Sequence, residues 1–459
     1  MVLSSAYINS PASAFGHTFL RFDKDLSTPL LSYVLNYSAK IGKENPLSYA
    51  YKGILGGYRG YYSIEPYYKK LKEYLALEQR DIWEYTLNLS QEEIDKMVRH
   101  IFEIRHFYSD YFFISKNCSY NLLWLIEVAK DDVNLVDKFE HKAIPLDTIR
   151  AVILENLVKK SSYRASKHKE ILRLNEAIKD NPKALEFAKI NEYDLSKIDE
   201  FSKEEKIASL ELAIALSKDK ADKKCYLPKL LKARSKLGKS IKKRDPIEPS
   251  SSPLEGHYST KATIGYGNSR ALKVRAKVAY HDIYDNDNGY LSGAYIDFLE
   301  TALEYKEHKL HLEEFNLLDI KSYAIQDSIF KPISWQVSLG AKRIFNDELN
   351  SYLQVGGGVT LGREKLYFYS TVTPTLYYKN HEELSLSTNL GVLYNPSKYL
   401  KFGLLSSNEW FSRSREILKV EPFVTYSINQ ELAFNLRYEY KKMKEEVEDE
   451  FVFSWFWYF

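Results

Sequence analysis

The spacing of apolar residues divides the chain into three zones. Residues 1–150 mix strand and helix signals. "GHTFLRF" (16–22), "LLSYVLNYS" (30–38) and "DIWEYTLNL" (81–89) are rich in aromatic and β-branched residues and predict strands. "LSQEEIDKMVRHIFEIRHF" predicts a helix. Ser90 and Glu93 make a capping box, and Ile94, Met97, Val98 and Ile101 recur at helical spacing. A second helix begins at about Cys118, runs through "NLLWLIEVAK" and ends near Asp131 and Asp132. Residues 151–257 are Lys-rich and helical in period, with apolar stripes in "TIRAVILENLVKK", "SLELAIALSKDKADKK" and "LPKLLKARSKLGKSIKK". They predict a solvated helical connector, with a basic face for anionic lipid headgroups as the lesser alternative. "RDPIEPSSSPLEGH" (244–257) closes this zone with prolines and serines.

From residue 258 to 459 the period is two. In "ELAFNLRYEY" (431–440), Leu432, Phe434, Leu436, Tyr438 and Tyr440 share one face, opposite Ala433, Asn435, Arg437 and Glu439. "ELSLSTNLGVLY" (383–394) and "ALKVRAKVAY" (271–280) alternate in the same way, and breaks such as "NDELN", "YKNHEE", "YNPSK" and "SINQ" separate the runs. About twelve alternating segments of roughly ten residues are the pattern of an antiparallel transmembrane β-barrel, apolar toward lipid and polar toward the lumen. A soluble sandwich also alternates. The last strand favours the barrel: "FVFSWFWYF" puts Phe451, Phe453, Trp455, Trp457 and Phe459 on one face, a stripe that would aggregate in water. It resembles the terminal strand of bacterial outer-membrane proteins, which the barrel assembly machinery recognises by a final Phe.

Composition refines this picture little. The 459 residues suit two or three domains, and a charged fraction of 28% with net charge +3 excludes a disordered or strongly basic, nucleic-acid-binding chain. The 37 tyrosines raise the aromatic share to 14%, as girdles at strand ends would. Two cysteines make no disulfide framework and no zinc-type CxxC pair, although a Cys118–Cys225 bridge stays open. No apolar run reaches the ~18 residues of a spanning helix. The opening "MVLSSAYINSPASAFGHTF" has no secretory n- and h-region and read alone suggests a cytosolic protein. The barrel contradicts that reading, because such a chain crosses the inner membrane; the expectation is a signal upstream of Met1.

The first zone carries the candidate chemistry. A thiol becomes a nucleophile when a helix N-terminus and a histidine favour its thiolate. Cys118 stands at a helix start, yet a free Cys is commonly a buried packing residue, and position alone leaves both readings open. Among candidate bases, His100 and His106 belong to a charged helix and His141 to a loop. His17 follows Gly16 on a strand, sharing a face with Phe19. A strand histidine facing a helix-start cysteine is the arrangement of papain-like enzymes, here in reversed chain order, as a circular permutation would give. Asn117, Ser119 and Tyr111 are polar neighbours that would line the site or orient the histidine.

"SSAYINSPASAFGHTFLRFD", "GGYRGYYSIEPYYKKLKEY", "LEQRDIWEYTLNLS" and "YFFISKNCSYNLLWLIEVA" closely resemble a bacterial family first catalogued as a domain of unknown function. That family is now named for the N-terminal periplasmic domain of the Lnb lipoprotein N-acyltransferase. "PLDTIR", "PLEGH" and "AYHDIYDNDNGYLSGAYIDFLE" resemble the barrel region found in many of its members. The family is similar to permuted NlpC-type thiol enzymes. The resemblance therefore implies an α+β permuted papain-like domain with Cys118 as nucleophile and His17 as base. The implied reaction is acyl transfer from a phospholipid ester through a Cys thioester to an amine, such as a lipoprotein N-terminus, or to water. No cofactor or metal is implied. An outer-membrane anchor departs from the inner-membrane setting of the enzyme that names the family, which puts the lipoprotein acceptor in doubt.

"AYHDIYDNDNGY" (279–290) gathers His281, Asp282, Asp285 and Asp287 without matching an EF-hand, and predicts a polar turn at the barrel rim, with a calcium or substrate contact as the alternative. Two further functions remain in play. One is peptidoglycan peptide hydrolysis by an NlpC-type enzyme. The other is a porin gated by its front domain, suggested by Lys273, Arg275 and Lys277 on one barrel face.

Overall fold

In a computed structural model the chain is described except for residues 6–14, 25–27, 43, 79, 191–192, 219–220, 241–244, 345–347, 380–381 and 445. The first zone is built on seven strands: β1 (Val2–Ser4), β2 (His17–Phe22), β3 (Tyr33–Ala39), β4 (Tyr58–Pro66), β5 (Ile82–Leu87), β6 (Ser109–Tyr111) and β7 (Val158–Arg164). They lie side by side as β6-β4-β3-β2-β1-β5-β7, each pair antiparallel. Five helices accompany them: α1 (Pro46–Leu55), α2 (Tyr67–Leu71), α3 (Gln91–Ile104), α4 (Cys118–Ala129) and α5 (Pro145–Leu154). Period-two alternation on β2 decides the layering. Leu20 joins Leu35, Leu122, Ile126 and Ile149 beneath α4 and α5, while Phe19 joins Val2, Val34, Tyr67 and Ile82 on the other face. The Ser90/Glu93 capping box forms and starts α3.

Two expectations for the second zone need correction. The helix predicted over "TIRAVILENLVKK" stops at Leu154, because Asn156 adopts a left-handed φ of 57° that turns the chain back. Residues 158–164 then return as β7 on the edge of the first sheet, so the first unit runs past residue 150. The remainder is more than a solvated connector. Helices α6 (Lys167–Glu176), α7 (Pro182–Lys189), α8 (Lys203–Ser217) and α9 (Leu227–Lys236) share a core of Ile171, Phe187, Tyr193, Leu210, Ile214 and Leu230. The run "IASLELAIAL" in α8 is apolar on most sides, and such a helix must be buried.

The third zone is a barrel. Its strands are β8 (Lys261–Gly267), β9 (Leu272–Lys277), β10 (Ala279–His281), β11 (Ala294–Lys306), β12 (Lys309–Ser322), β13 (Ile325–Gln326) and β14 (Ser334–Arg343). They continue with β15 (Leu349–Arg363), β16 (Leu366–Tyr378), β17 (Glu382–Ser397), β18 (Leu400–Phe411), β19 (Arg415–Ser427), β20 (Leu432–Met443) and β21 (Glu446–Tyr458). Twelve of them close an antiparallel ring, since β21 pairs with β8, β8 with β9 and β9 with β11. The short β10 extends β9 along β11, and β13 adds a parallel bridge to β15. The predicted run 271–280 is interrupted at Val278, which leaves His281 free to turn into the lumen. The predicted turns "NDELN" and "YKNHEE" lie partly outside the described residues.

The two faces of the barrel separate as its alternation requires. Leu384, Leu386 and Leu390 are exposed outward, whereas Ser385 and Ser387 are buried inward. Exposed aromatics ring both ends: Phe368, Tyr394, Phe402, Tyr426 and Trp457 at one, Tyr266, Tyr378, Trp410 and Phe451 at the other. The whole terminal stripe Phe451, Phe453, Trp455, Trp457 and Phe459 faces outward. Among the described residues no helix is long and apolar enough to cross a membrane; the strands do the crossing.

The first domain rests against this barrel at the end where β8 starts and β21 finishes. On β11, Ala294, Ile296 and Phe298 alternate with Tyr295 and Asp297, whose side chains enter the lumen. The outward set is nonetheless buried, because Ile144, Phe15, Ile54 and Ile114 of the first domain pack on it. Polar contacts fix the junction: Arg150 donates to the Gly256 carbonyl at 2.6 Å and to the His257 carbonyl at 3.1 Å. The helical unit holds the loop between β12 and β14 through His168–Asp327 at 2.8 Å and Asn175–Ser328 at 3.0 Å.

Candidate functional site

Cys118 is the first residue of α4. Asn117 caps the helix, its side-chain oxygen accepting from the Ser119 and Tyr120 amides at 3.0 and 3.3 Å. Its amide nitrogen donates to the carbonyls of Phe113 (3.1 Å) and Ala143 (2.7 Å), so the cap is locked from both sides. Asn117 occupies the Ser119 and Tyr120 amides, and the Cys118 N–H, the remaining helix-start donor beside the thiol, is given to the Tyr111 hydroxyl.

His17 enters from β2. Gly16 precedes it at φ +96°, and a Cβ there would meet the Ser4 carbonyl at 3.0 Å, so the tight approach to β2 needs glycine. Beyond the turn, His17 Nε2 lies 2.6 Å from the Asn36 side-chain oxygen. That oxygen can only accept, so Nε2 carries the proton and Nδ1 is left to take one. Asn36 in turn donates to Ser38 at 3.3 Å. The histidine ring sits 6.0 Å from Tyr74, over which the Arg80 guanidinium lies at 4.9 Å.

The pair is electrostatically matched. Burial alone would push the Cys118 thiol up. The charge and hydrogen bond of His17 outweigh it, with the Thr18 backbone and the Ser119 hydroxyl adding to them, and the thiol falls from 9.0 to about 6. Burial likewise disfavours a charged His17, yet the facing thiolate and the Asn36 oxygen hold the imidazole above its usual 6.5. Thr18 links the two walls, 2.9 Å from Ser119 Oγ and 4.0 Å from Cys118 Sγ. The Tyr111 hydroxyl is buried in hydrogen-bond contact with Cys118; burial first, and then the thiolate, keep it firmly protonated.

The structure therefore brings Cys118, His17, Asn117, Ser119 and Tyr111 together. It assigns the orientation of the histidine to Asn36, which sequence reasoning missed. The available signal was Asn36 sharing a strand face with Val34 in "YVLNYS". His100 instead stacks edge-on against Trp124 at 5.0 Å, and His106 is exposed. Cys118 is buried and Cys225 exposed, and the two do not form a disulfide. His281, Asp282 and Asp285 lie elsewhere, buried inside the barrel mouth rather than on a solvated rim turn, because the loop after β10 folds into the lumen.

A cavity opens beside the His17 turn. Ser4, Ser5, Phe15, Gly16 and Leu146 line it on one side, and Tyr280, Tyr290, Leu291, Ala294 and Ile296 of the barrel on the other. Its walls are mostly apolar, and its barrel wall continues the outward face of β11.

Residues 1–155 match the family model of the Lnb N-terminal periplasmic domain. The Lnb-type domain thus coincides with the unit that holds the Cys118–His17 pair. Residues 250–458 match a second family model, a domain of unknown function that coincides with the barrel. No curated protein matches the chain. Solved structures similar to it include the NanC porin (10% identity, 44% of this chain and 100% of that one, TM-score 0.32). The KdgM porin is similar at 10% identity over 44% and 99%, with TM-score 0.28. OmpT of Vibrio cholerae is similar at 9% over 44% and 96%, with TM-score 0.24. The barrel rests on its own closed ring of strands and lipid-facing band, which place it in the outer membrane with the Lnb-type domain in the periplasm.

Proposed function

We propose that the Lnb-type domain is a cysteine-dependent acyltransferase or acyl hydrolase working on phospholipid at the periplasmic leaflet of the outer membrane. The observation that carries this reading is the Cys118–His17 pair, with its thiol lowered to about 6. A permuted papain-like ancestry would account for the pair's chain order. The Cys118 thiolate attacks the ester carbonyl, and the Tyr111 hydroxyl, itself held by the Cys118 N–H, turns to donate to the developing oxyanion. The ester C–O bond breaks, and the leaving alkoxide of the lysophospholipid takes the proton from the His17 imidazolium. The thioester then passes its acyl group to an amine, with a lipoprotein N-terminus as one acceptor, or to water. In that step neutral His17 removes the acceptor's proton.

The choice of lipid over peptidoglycan rests on the mostly apolar cavity beside Gly16, which lies between the first domain and the outward face of β11 that this domain covers. The porin alternative stands beside this reading, since the closed twelve-strand barrel supports it; at this end of its lumen Lys261, Lys277, Lys401, Tyr295 and Tyr367 pack with the loop carboxylates of residues 282–287. The test offers full-length protein in detergent either acyl-labelled phospholipid or muropeptides. Release or transfer of label that is lost in both Cys118→Ala and His17→Gln supports the proposal. Cleavage of muropeptides alone, or neither activity, overturns it.

A further inference from the structure

We propose that His257, His281 and Asp285 form a site for one divalent transition-metal ion, with zinc the best fit, at the periplasmic mouth of the barrel. Three segments supply the ligands: the strap entering β8, strand β10 and the loop that folds into the lumen. His257 Nε2 and His281 Nδ1 face each other at 3.0 Å. Asp285 Oδ2 completes the triangle at 3.6 Å from the first and 3.9 Å from the second. Tetrahedral zinc with N and O ligands at ~2.0–2.1 Å has ligand–ligand edges of about 3.3 Å, close to the mean of these distances. All three side chains are buried, and such a set leaves a fourth position for water.

The hydrogen atoms make the case sharper. His257 Nδ1 is 2.6 Å from the Tyr258 carbonyl, which only accepts, so the proton sits on Nδ1 and the Nε2 lone pair faces inward. His281 Nε2 is buried 3.4 Å from Asp287 Oδ1 without a hydrogen bond to it; with the proton on this nitrogen, the Nδ1 lone pair points inward as well. In that tautomer two lone pairs and a carboxylate oxygen converge, an arrangement that a cation relieves. A carbonyl or carboxylate on the outer nitrogen of each imidazole is also what orients metal-binding histidines. Asp287 is itself fixed by Lys401 at 2.7 Å and Tyr367 at 2.9 Å. The rings are clamped too: His281 stacks on Tyr290 at 4.2 Å, and His257 lies between Tyr290 (4.5 Å) and Tyr458 (4.3 Å).

Neighbouring charges constrain the choice. Asp285 Oδ2 is shared with Lys277 at 3.2 Å and the Asp282 amide at 2.9 Å, and Lys261 holds Oδ1 at 2.7 Å. Asp282, Asp285, Asp287 and Asp297 face the ammonium groups of Lys261, Lys277 and Lys401, with Lys321 also acting on Asp297. A proton shared between the two facing imidazole nitrogens is the rival account. Because Arg150 grips the carbonyls of Gly256 and His257, a metal here would staple the first domain to the plugged mouth.

The test uses the full-length protein in detergent, stripped with chelator, dialysed and loaded with zinc or with cobalt(II). Expected are one metal per chain by elemental mass spectrometry and cobalt absorption bands of an imidazole–carboxylate site without a thiolate band. His281→Ala and Asp285→Asn should weaken binding at least about tenfold, while Cys118→Ser keeps it. Heat-modifiable gel migration reports whether each variant barrel has folded. Wild-type protein that holds no stoichiometric metal after loading, or folded variants that bind like wild type, would leave the shared proton as the account of this cluster. Should both variants fail to fold, wild-type stoichiometry and the cobalt spectrum decide alone.

Discussion

Replacing His17 by Gln should return Cys118 to the behaviour of a buried, unassisted thiol. In the native site the thiol falls from 9.0 to about 6, and His17 is the leading cause that favours the thiolate against burial. That difference corresponds to about 4 kcal/mol of preference for the thiolate–imidazolium pair. With a thiol at about 6, about nine-tenths of Cys118 is thiolate at neutral pH; at 9 or above, about one-hundredth is. The assay is the ultraviolet absorbance of the thiolate as a function of pH, in a Cys225→Ser background because Cys225 is a second, exposed thiol. The absorbance step should move from about pH 6 in the parent to above pH 9 in His17→Gln. An unchanged step would refute the reasoning, since it would mean that the helix start and hydroxyls alone set the thiol.

Asn36→Ala removes the acceptor at 2.6 Å that fixes the histidine tautomer, and should lower acyl transfer by about 10- to 100-fold while moving the thiolate step much less than His17→Gln. The pH profile of acylation should be bell-shaped. Its acid limb lies near pH 6, where the thiolate protonates; its alkaline limb lies above 6.5, where the raised His17 loses the proton needed by the leaving group. In the barrel, Leu386→Arg places a charge on the lipid-facing side of β17 and should cost about 2–4 kcal/mol in urea unfolding from liposomes, whereas Ser387→Thr on the lumen side should cost little. Gly391→Val puts a side chain into the Tyr369 ring that covers this glycine, and should destabilise by about 1–3 kcal/mol in the same assay.

How far the sequence could be read depended on how local each signal is. Barrel strands announce themselves because every second residue faces lipid, so "ELSLSTNLGVLY" and "FVFSWFWYF" were legible without knowing any partner strand. The Ser90/Glu93 cap was equally local. The end of α5 was not legible: a left-handed Asn156 and a vacant sheet edge beside β5 decide it, and the edge belongs to residues about 75 positions earlier. The burial of α8 likewise depends on three other helices closing around it. At the site, a helix start and a glycine turn singled out Cys118 and His17 but left packing open, and the family resemblance supplied their roles; Asn36 was hidden in a strand whose pairing sets its neighbour. The rim loop was misjudged for a related reason. Its Asn, Asp and Gly residues suit an exposed turn, and only the lysines of β8, β9 and β18 reveal that its carboxylates belong inside.

The central claim is that Cys118 carries an acyl group drawn from phospholipid. Intact mass spectrometry of the protein after incubation with phospholipid vesicles tests it most directly. The account predicts a mass increase of one acyl chain, mapped to Cys118, removed by neutral hydroxylamine and missing from Cys118→Ala. An acyl adduct that persists in Cys118→Ala, or a wild-type protein that releases lysophospholipid without ever carrying an adduct on Cys118, would contradict it.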